Sequence, residues 1–483
     1  MHIAIVNFTG FRGNWGCQAT SFELLKFLAG SVREAEPLSI SYVPLLPTST
    51  VDAEYNSEID RVYRAFSDVA RQTDAAASSL VYLETACLRR YGFWADAVKA
   101  ADLVVFQAEG SMGLGTSFAH APRLMLLPFV AKHAWGKTAI SLNQTFYSQD
   151  ENVLQNAAEC FSTLDLAAFR EPCSVALARK NGVKNAVLIP DLAFMTPAGT
   201  AAPLPRNIES GGFFAITGSA LKDPDRYRRI LAQARTISAA TGLRPLIAVS
   251  RDLPLRLRAV LTMRPGSYAI VPRDITYSRV ASFLQHCEFL LGGRYHMSIV
   301  AAAAGTPSIM LRGNSIKNEG LAALLGSARP VRDFADEAGI VADAIAITGN
   351  RAAERATLQS RLALIRGRIL AAQQHVAQIV AGEKPPQFLD GELSEVPFDP
   401  TLLEQYRRFG SGKRAKGLPP LPGARLGGPP TPEQVALPLL EGLSNDKART
   451  LATLSPLIKS EPGFARVVRA RLDIYPDAAT LFS

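Results

Sequence analysis

The chain has 483 residues, 48% hydrophobic and 20% charged, a globular balance that leaves room for two or three cores and excludes a disordered protein. A net charge of +9 suits an anionic small molecule, a membrane surface or nucleic acid, and the lack of long basic runs or a legible nucleic-acid module argues against the last. Cys17, Cys87, Cys160, Cys173 and Cys287 are scattered and make no C-x-x-C, which excludes a disulfide framework or zinc site and suits a reducing cytoplasm.

In chain order, Ile3–Val6 reads as a strand, because MHIAIVNFTG lacks the basic start and cleavage site of a signal peptide. No apolar stretch is long enough to span a bilayer. A glycine-rich loop, Gly10 to Gly16, leads into a helix over Cys17–Leu28 with Phe22, Leu25 and Leu28 on one face. Such a loop lets backbone approach a ligand closely, but its spacing is not the dinucleotide fingerprint, and a plain tight turn fits equally well. Tyr55–Phe66 and Ser78–Ala100 look like an antiparallel helical pair. Strands follow at Leu103–Phe106, Thr138–Leu142, Leu166–Phe169 and Val187–Ile189. They end in Gln107–Ser111, Asn143-Gln144, Arg170-Glu171 and Pro190-Asp191, the polar rim of a doubly wound domain. Ser174 is placed to cap the next helix, and Gly182 to stop it.

Pro197, Pro203 and Pro205 make Thr196–Glu209 loop-like and place a domain boundary near residue 200. A second alternating set has strands at Phe213–Ile216, Leu246–Val249 and Tyr268–Val271 and helices at Asp223–Thr241 and Tyr277–His286. A helix ends near Gly326. Ala356–Ala381 carries Leu358, Leu362, Ile365 and Ile369 at helical spacing, which is packing. The expected division is therefore 1–200 and 201–383 as two Rossmann-like α/β domains, a Pro/Gly-rich linker over 384–432, and a small helical module over 433–483.

Phe289–Leu311, FLLGGRYHMSIVAAAAGTPSIML, concentrates the chemistry. Two short apolar runs flank an Ala-rich block closed by Gly305, so a strand, a helix and a second strand are expected. Arg294 and His296 then stand where a strand ends and a helix begins, the edge at which α/β sheets bind ligands and helix N-termini favour anions. A guanidinium and an imidazole there suit an anionic substrate that also needs a proton; capping the helix or pairing with a nearby acid is the other account of them.

The motifs GNWGCQA, ADLVVFQAEGS, AAFREPCSVALAR, IPDLAF, GGRYHMSIVAAAAGTPSIM and NSIKNEGLAALLG, in that order, resemble the polysaccharide pyruvyl transferase family over about residues 1–330. The resemblance implies two facing Rossmann-like domains of the GT-B kind. It also implies transfer of the enolpyruvyl portion of phosphoenolpyruvate to two hydroxyls of one sugar, without a cofactor or metal. Where the family commonly has Gly-Asp-Glu-Ala and a Gly-rich segment, this chain has Gly16-Cys17-Gln18-Ala19 and Gln107-Ala108-Glu109-Gly110, which leaves the acceptor open.

Carried over residue by residue, His296 is the expected general acid, Arg294 is a donor ligand, and Lys317 is either a ligand of the donor phosphate or a solvated surface lysine. Arg170 either closes the donor pocket or pairs with Glu171 or Asp191. Asn14, Glu109 and Asp191 are expected on the acceptor side, the latter two serving equally well as turn or cap residues. The expected partners are phosphoenolpyruvate and a saccharide, lipid-linked or not, with the C-terminal module a candidate for contact with the inner face of the membrane or an assembly complex. A nucleotide-sugar glycosyltransferase and a non-catalytic scaffold of polysaccharide assembly are the competing readings.

Overall fold

The computed structural model describes residues 1–32, 37–44, 58–107, 109–111, 121–197, 212–220, 224–250, 253–272 and 275–383, with Phe388, Leu393, Thr401, Leu402, Gln405 and Tyr406. The expected module over 433–483, and the expected linker over 384–432 apart from those last residues, lie outside the described residues. Residues 1–10, 14–46 and 54–416 form one compact unit; residues 11–13, 47–53 and 417–483 are grouped in another.

Within the larger unit the chain makes two parallel sheets. The first contains β1 (His2–Phe8), β2 (Ser39–Pro44), β3 (Leu103–Phe106), β4 (Thr138–Gln144), β5 (Leu166–Phe169) and β6 (Ala186–Leu188), in the order β2-β1-β3-β4-β5-β6. The second contains β7 (Phe213–Ser219), β8 (Arg244–Ile247), β9 (Ala269–Ile270), β10 (Cys287–Gly293) and β11 (Ser308–Met310), in the order β11-β10-β7-β8-β9. Every pairing is parallel, so helices must cross over between strands, and the strands other than the edge strand β2 are largely buried on both faces. The fold class is the expected α/β with two Rossmann-like halves. Strand order reverses at β1/β3 in one sheet and at β7/β10 in the other, and both functional stretches of sequence leave from those switch points.

The second sheet shows how one strand serves two cores. Phe213, Ala215 and Leu290 join the large core shared with the first half, while Phe214, Ile216, Phe289 and Leu291 enter a separate core on the other face. At Gly292 the neighbouring strand comes so near that an added Cβ would stand 2.8 Å from the Thr217 carbonyl oxygen, so only glycine fits.

Several elements differ from the sequence expectation. Ser39–Pro44 is an edge strand, half-exposed and polar along one side, so it lacks the apolar run that marks its neighbours. The expected helix over Ser78–Ala100 breaks at Gly92 (φ +52°) into Ala76–Tyr91 and Phe93–Lys99. Helices at Ala121–His133, Glu151–Ser162, Leu253–Thr262 and Glu337–Gly349 were not expected. Ser174 is not the cap of its helix: Glu171 is, with Pro172 at the first helical position.

The long helix, Arg351–Val380, was grouped with the second half on sequence. Its buried side, from Leu358 to Ile379, joins the core built mainly from the first half, and Arg366 and Arg368 donate to the carbonyls of Phe194 and Leu188. Ile365 lies wholly buried in that seam. Ile365→Ala should therefore lower unfolding stability by about 2–5 kcal/mol, read from denaturant midpoints, whereas truncating the exposed Leu364 should change it by less than about 1 kcal/mol.

Candidate active site

The site is built where strand ends of both sheets meet. β5 runs into Arg170, whose side chain is completely buried. A charge so deep requires partners on all sides. Its Nε donates to Thr145 Oγ1 (2.9 Å), Nη1 donates to Asp191 Oδ2 (2.8 Å), and the guanidinium carbon lies 4.3 Å from the centre of the Tyr295 ring. Of the two acids adjacent in the sequence reading, Asp191 takes the arginine. Glu171 turns instead to its own helix, accepting from the amide and hydroxyl of Ser174, and burial pushes its carboxyl up to about 8.

Asp191 leaves β6 and caps the short 3-10 turn Leu192–Met195. Its Oδ1 accepts from Thr20 Oγ1 (2.8 Å) and from the Ala193 amide (3.0 Å). Oδ2 holds Arg170 and lies 3.3 Å from His296 Nε2. Burial alone would raise this carboxyl; His296 and Arg170 overturn that and hold it well below the usual carboxylate range. Of the two accounts the sequence leaves open for Asp191, acceptor ligand or cap, the cap is the one the hydrogen bonds display. The side chain is fully buried and both oxygens are occupied, which is the geometry of a group that orients others.

His296 comes from the second half, as the second residue of the helix Tyr295–Ala303 that follows β10. Its Nε2 lies 3.0 Å from Arg170 Nη1 and 3.3 Å from Asp191 Oδ2. One ring nitrogen thus faces a donor and an acceptor from the other half. Neutral at Nε2, it accepts from the arginine; protonated there, it donates to the aspartate. The first half also forms the wall beside the ring. A Cβ on Gly16 would stand 2.6 Å from His296 Cβ and 3.0 Å from Nδ1. Gly16 is held there by Asn14, which caps the helix Trp15–Gly30 by accepting from the Gly16 amide (3.0 Å).

Lys317, at the start of the helix Lys317–Leu324, is buried with its ammonium donating to Asn314 Oδ1. A Cβ on Gly110 would lie 2.9 Å from Lys317 Nζ and 3.2 Å from Arg170 Nη2, so the glycine leaves room where two cations from opposite halves approach. Burial first, and then the charges of Arg170 and Arg294, push the Lys317 pKa down to about 7. Arg294 is half-buried and stands at the cap position of the His296 helix without a side-chain capping bond, so capping does not account for it. Glu109 is buried; its carboxylate accepts from Thr9 Oγ1 and, at 3.6 Å, from the Cys17 thiol.

Backbone strain collects at the same edge. Asn7, Glu109 and Asn143, at or just beyond the ends of β1, β3 and β4, have φ of +64°, +50° and +57°. Left-handed backbone in residues other than glycine is costly and tends to be kept where a site needs it. The structure thus brings Arg170, Asp191 and His296 into direct contact, with Lys317, Arg294 and Glu109 close enough to act on the same charges. Asn14 acts one step away, through Gly16. Sequence reasoning missed Thr20, Thr145 and Tyr295, which hold the charged groups; their only signal was position at strand ends and helix starts.

The sequence matches the family model for polysaccharide pyruvyl transferase over residues 14–315, a span that contains every site residue expected from sequence except Lys317. The chain belongs to the polysaccharide pyruvyl transferase family. No curated protein matches it. Among solved structures, a protein assigned as a UDP-N-acetylglucosamine 2-epimerase from Listeria monocytogenes is 13% identical with TM-score 0.49, covering 80% of this chain and 99% of its own. The S. aureus protein MnaA, solved with UDP, is 14% identical with TM-score 0.48, covering 80% and 100%. The spinosyn rhamnosyltransferase SpnG is 13% identical with TM-score 0.43, covering 79% and 100%.

The Asp191 carboxyl is lower in the folded pyruvyl transferase than in the unfolded chain, where it titrates near ~3.9. Its contribution is complete above about pH 5 and is lost as pH falls below that. Asp191→Asn should cost about 3–5 kcal/mol at pH 7, because Arg170 then stays buried without a full counter-charge. The variant should also lose less stability than the wild type between pH 5 and pH 3, a comparison that urea midpoints across that range would make.

Proposed function

We propose that this chain transfers the enolpyruvyl group of phosphoenolpyruvate to two hydroxyls of one sugar, releasing phosphate and leaving a cyclic pyruvate ketal. The observation that carries the reading is the meeting of Arg294, Lys317 and Arg170 beside His296 at one seam. Two cations at the Gly110 gap, with the Arg294 charge acting on one of them, suit a small ligand with a phosphate and a carboxylate, and a histidine within the same seam supplies the proton that such an enol ester needs.

In this reading Arg294 takes an anionic group of the donor through paired N–H donors, and Lys317 takes the phosphate. Arg170 is already tied to Asp191 and Thr145, so it adds its field and its remaining face rather than a complete fork. His296, charged at Nε2, passes its proton to the methylene carbon, which becomes the methyl group. The central carbon, now short of electrons, accepts the oxygen of the first sugar hydroxyl. The bond to the bridging oxygen of phosphate breaks, and that pair of electrons leaves with phosphate. The proton of the first hydroxyl leaves on phosphate; a second hydroxyl of the same sugar supplies the other ketal oxygen and gives its proton to Glu109, the base we assign on the acceptor side, whose long bond from the Cys17 thiol yields to that hydroxyl. Asp191 receives no proton in this scheme; its role is to hold the imidazole and steady its charge. Acid and base are the only activations the scheme calls for.

His296→Ala should lower turnover about 10²–10⁴-fold in a protein that still folds, as circular dichroism would check. Arg294→Lys should act mainly on the KM for phosphoenolpyruvate, by about ten-fold, since an ammonium cannot reproduce the paired bonds. Mass spectrometry of the sugar product should show one pyruvate less one water; turnover of a nucleotide sugar in place of phosphoenolpyruvate would contradict the proposal.

Protons give an independent check. With its pKa near 7, Lys317 is mostly neutral at pH 8, and a bound dianion would recharge it. Calorimetry in two buffers of different ionisation enthalpy should report uptake of about one proton per phosphoenolpyruvate at pH 8. Lys317→Met should remove most of it, and affinity in the wild type should fall as pH rises above 7.

A further inference from the structure

We propose that Tyr406, far along the chain from the residues that match the family, is a positioning residue of this site: it clasps the helix Lys317–Leu324 of the second half to the strand-end loop of the first. This donor-side role rests on the function proposed above, but the clasp itself does not.

Tyr406 is completely buried. Its hydroxyl reaches both oxygens of Glu319, at 2.8 and 2.9 Å. Its carbonyl accepts from Gln149 Nε2 (2.9 Å), and its ring meets the edge of Tyr147 with centres 6.0 Å apart. Tyr147 and Gln149 lie in the loop after β4, the same loop whose Thr145 holds Arg170. On the other side Arg312, following β11, sends its guanidinium to Gln405 Oε1 (2.9 Å) and lies 5.6 Å from the Tyr406 ring centre. One side chain therefore touches both halves, beside the donor cations.

The residue it grips matters for Lys317. Glu319 stands two positions beyond Lys317 in the first turn of their helix, and the next residue, Gly320, packs on Glu171, where a Cβ would come within 2.2 Å of Oε2. Fixing Glu319 thus fixes the end of the helix that carries the lysine. Burial pushes the Glu319 carboxyl up to about 7, with the Tyr406 bond and the Arg312 charge working against that rise, so the tyrosine helps keep a carboxylate there. A buried acid with one neighbouring hydroxyl is costly unless that hydroxyl does something for the fold or the site.

The test compares Tyr406→Phe, which loses only the hydroxyl, with the wild-type full chain by hydrogen exchange without ligand, and by titration with phosphoenolpyruvate. Amides of residues 317–324 should exchange at least about ten-fold faster in Tyr406→Phe, and its phosphoenolpyruvate affinity should fall about ten-fold, with kcat within about two-fold. Glu319→Ala should reproduce both effects, and Glu319→Gln, which keeps an acceptor for the hydroxyl, should stay within about three-fold of wild type. This second pair decides the matter if Tyr406→Phe does not fold. Faster exchange in Tyr406→Phe and Glu319→Ala, together with no affinity of the wild type for phosphoenolpyruvate, would keep the clasp and overturn the donor chemistry. Unchanged exchange at 317–324 in both Tyr406→Phe and Glu319→Ala would overturn the clasp.

Discussion

A guanidinium buried out of reach of water has to be met by opposite charge, and the structure depends on how Arg170 is met. Its principal counter-charge, Asp191, follows the next strand of the same sheet, and another neighbour, His296, comes from the helix after a strand of the other sheet. Removing the carboxylate would leave a bare charge in the interior; removing the arginine would leave a bare carboxylate. The two halves are therefore joined at a point where neither can reorganise freely. That rigidity suits a site in which a proton must be delivered to one carbon of a small ligand.

Much of the fold could be read from the sequence because the strands of parallel sheets are short apolar runs with polar ends. Leu103–Phe106 and Leu166–Phe169 are found where the sequence places them, and Gly305 (φ +75°) closes the helix that carries His296 as its position in the sequence suggests. The failures have physical causes. Ala121–His133 is apolar nearly all round and holds Pro128, so it shows neither a helical stripe nor a clear start. Leu253–Thr262 and Glu337–Gly349 lie between short strands in stretches where caps are weak or ambiguous. Glu171 rather than Ser174 caps its helix because a glutamate reaches the same amide, and Pro172 sets the first turn.

The site was legible as a list of residues, and its division of labour was not. Arg294 and His296 announce themselves by standing between a strand and a helix. The pairing of Arg170 with Asp191 was one of the options the sequence offered; what no spacing could tell is that Asp191 also meets His296, or that Gly16 and Gly110 matter for the room they leave rather than for a turn. The contacts of Asp191 and Gly16 with His296, and of Gly110 with Lys317, join residues more than a hundred positions apart, and pairing at that range follows from tertiary packing alone. The same holds for Tyr406 and for the long helix Arg351–Val380, whose heptad-like leucines and isoleucines reveal that it is buried but not which half it is buried against.

The central claim is that the donor sits at this seam, held by cations from the second half with its methylene against His296. The most direct measurement is a crystal structure of the protein soaked with phosphoenolpyruvate at a pH where turnover is slow. Density with the phosphate and carboxylate on Arg294 and Lys317 and the methylene carbon next to His296 Nε2 is the expected result. A well-occupied ligand bound elsewhere, with His296 still turned only toward Arg170 and Asp191, would contradict it.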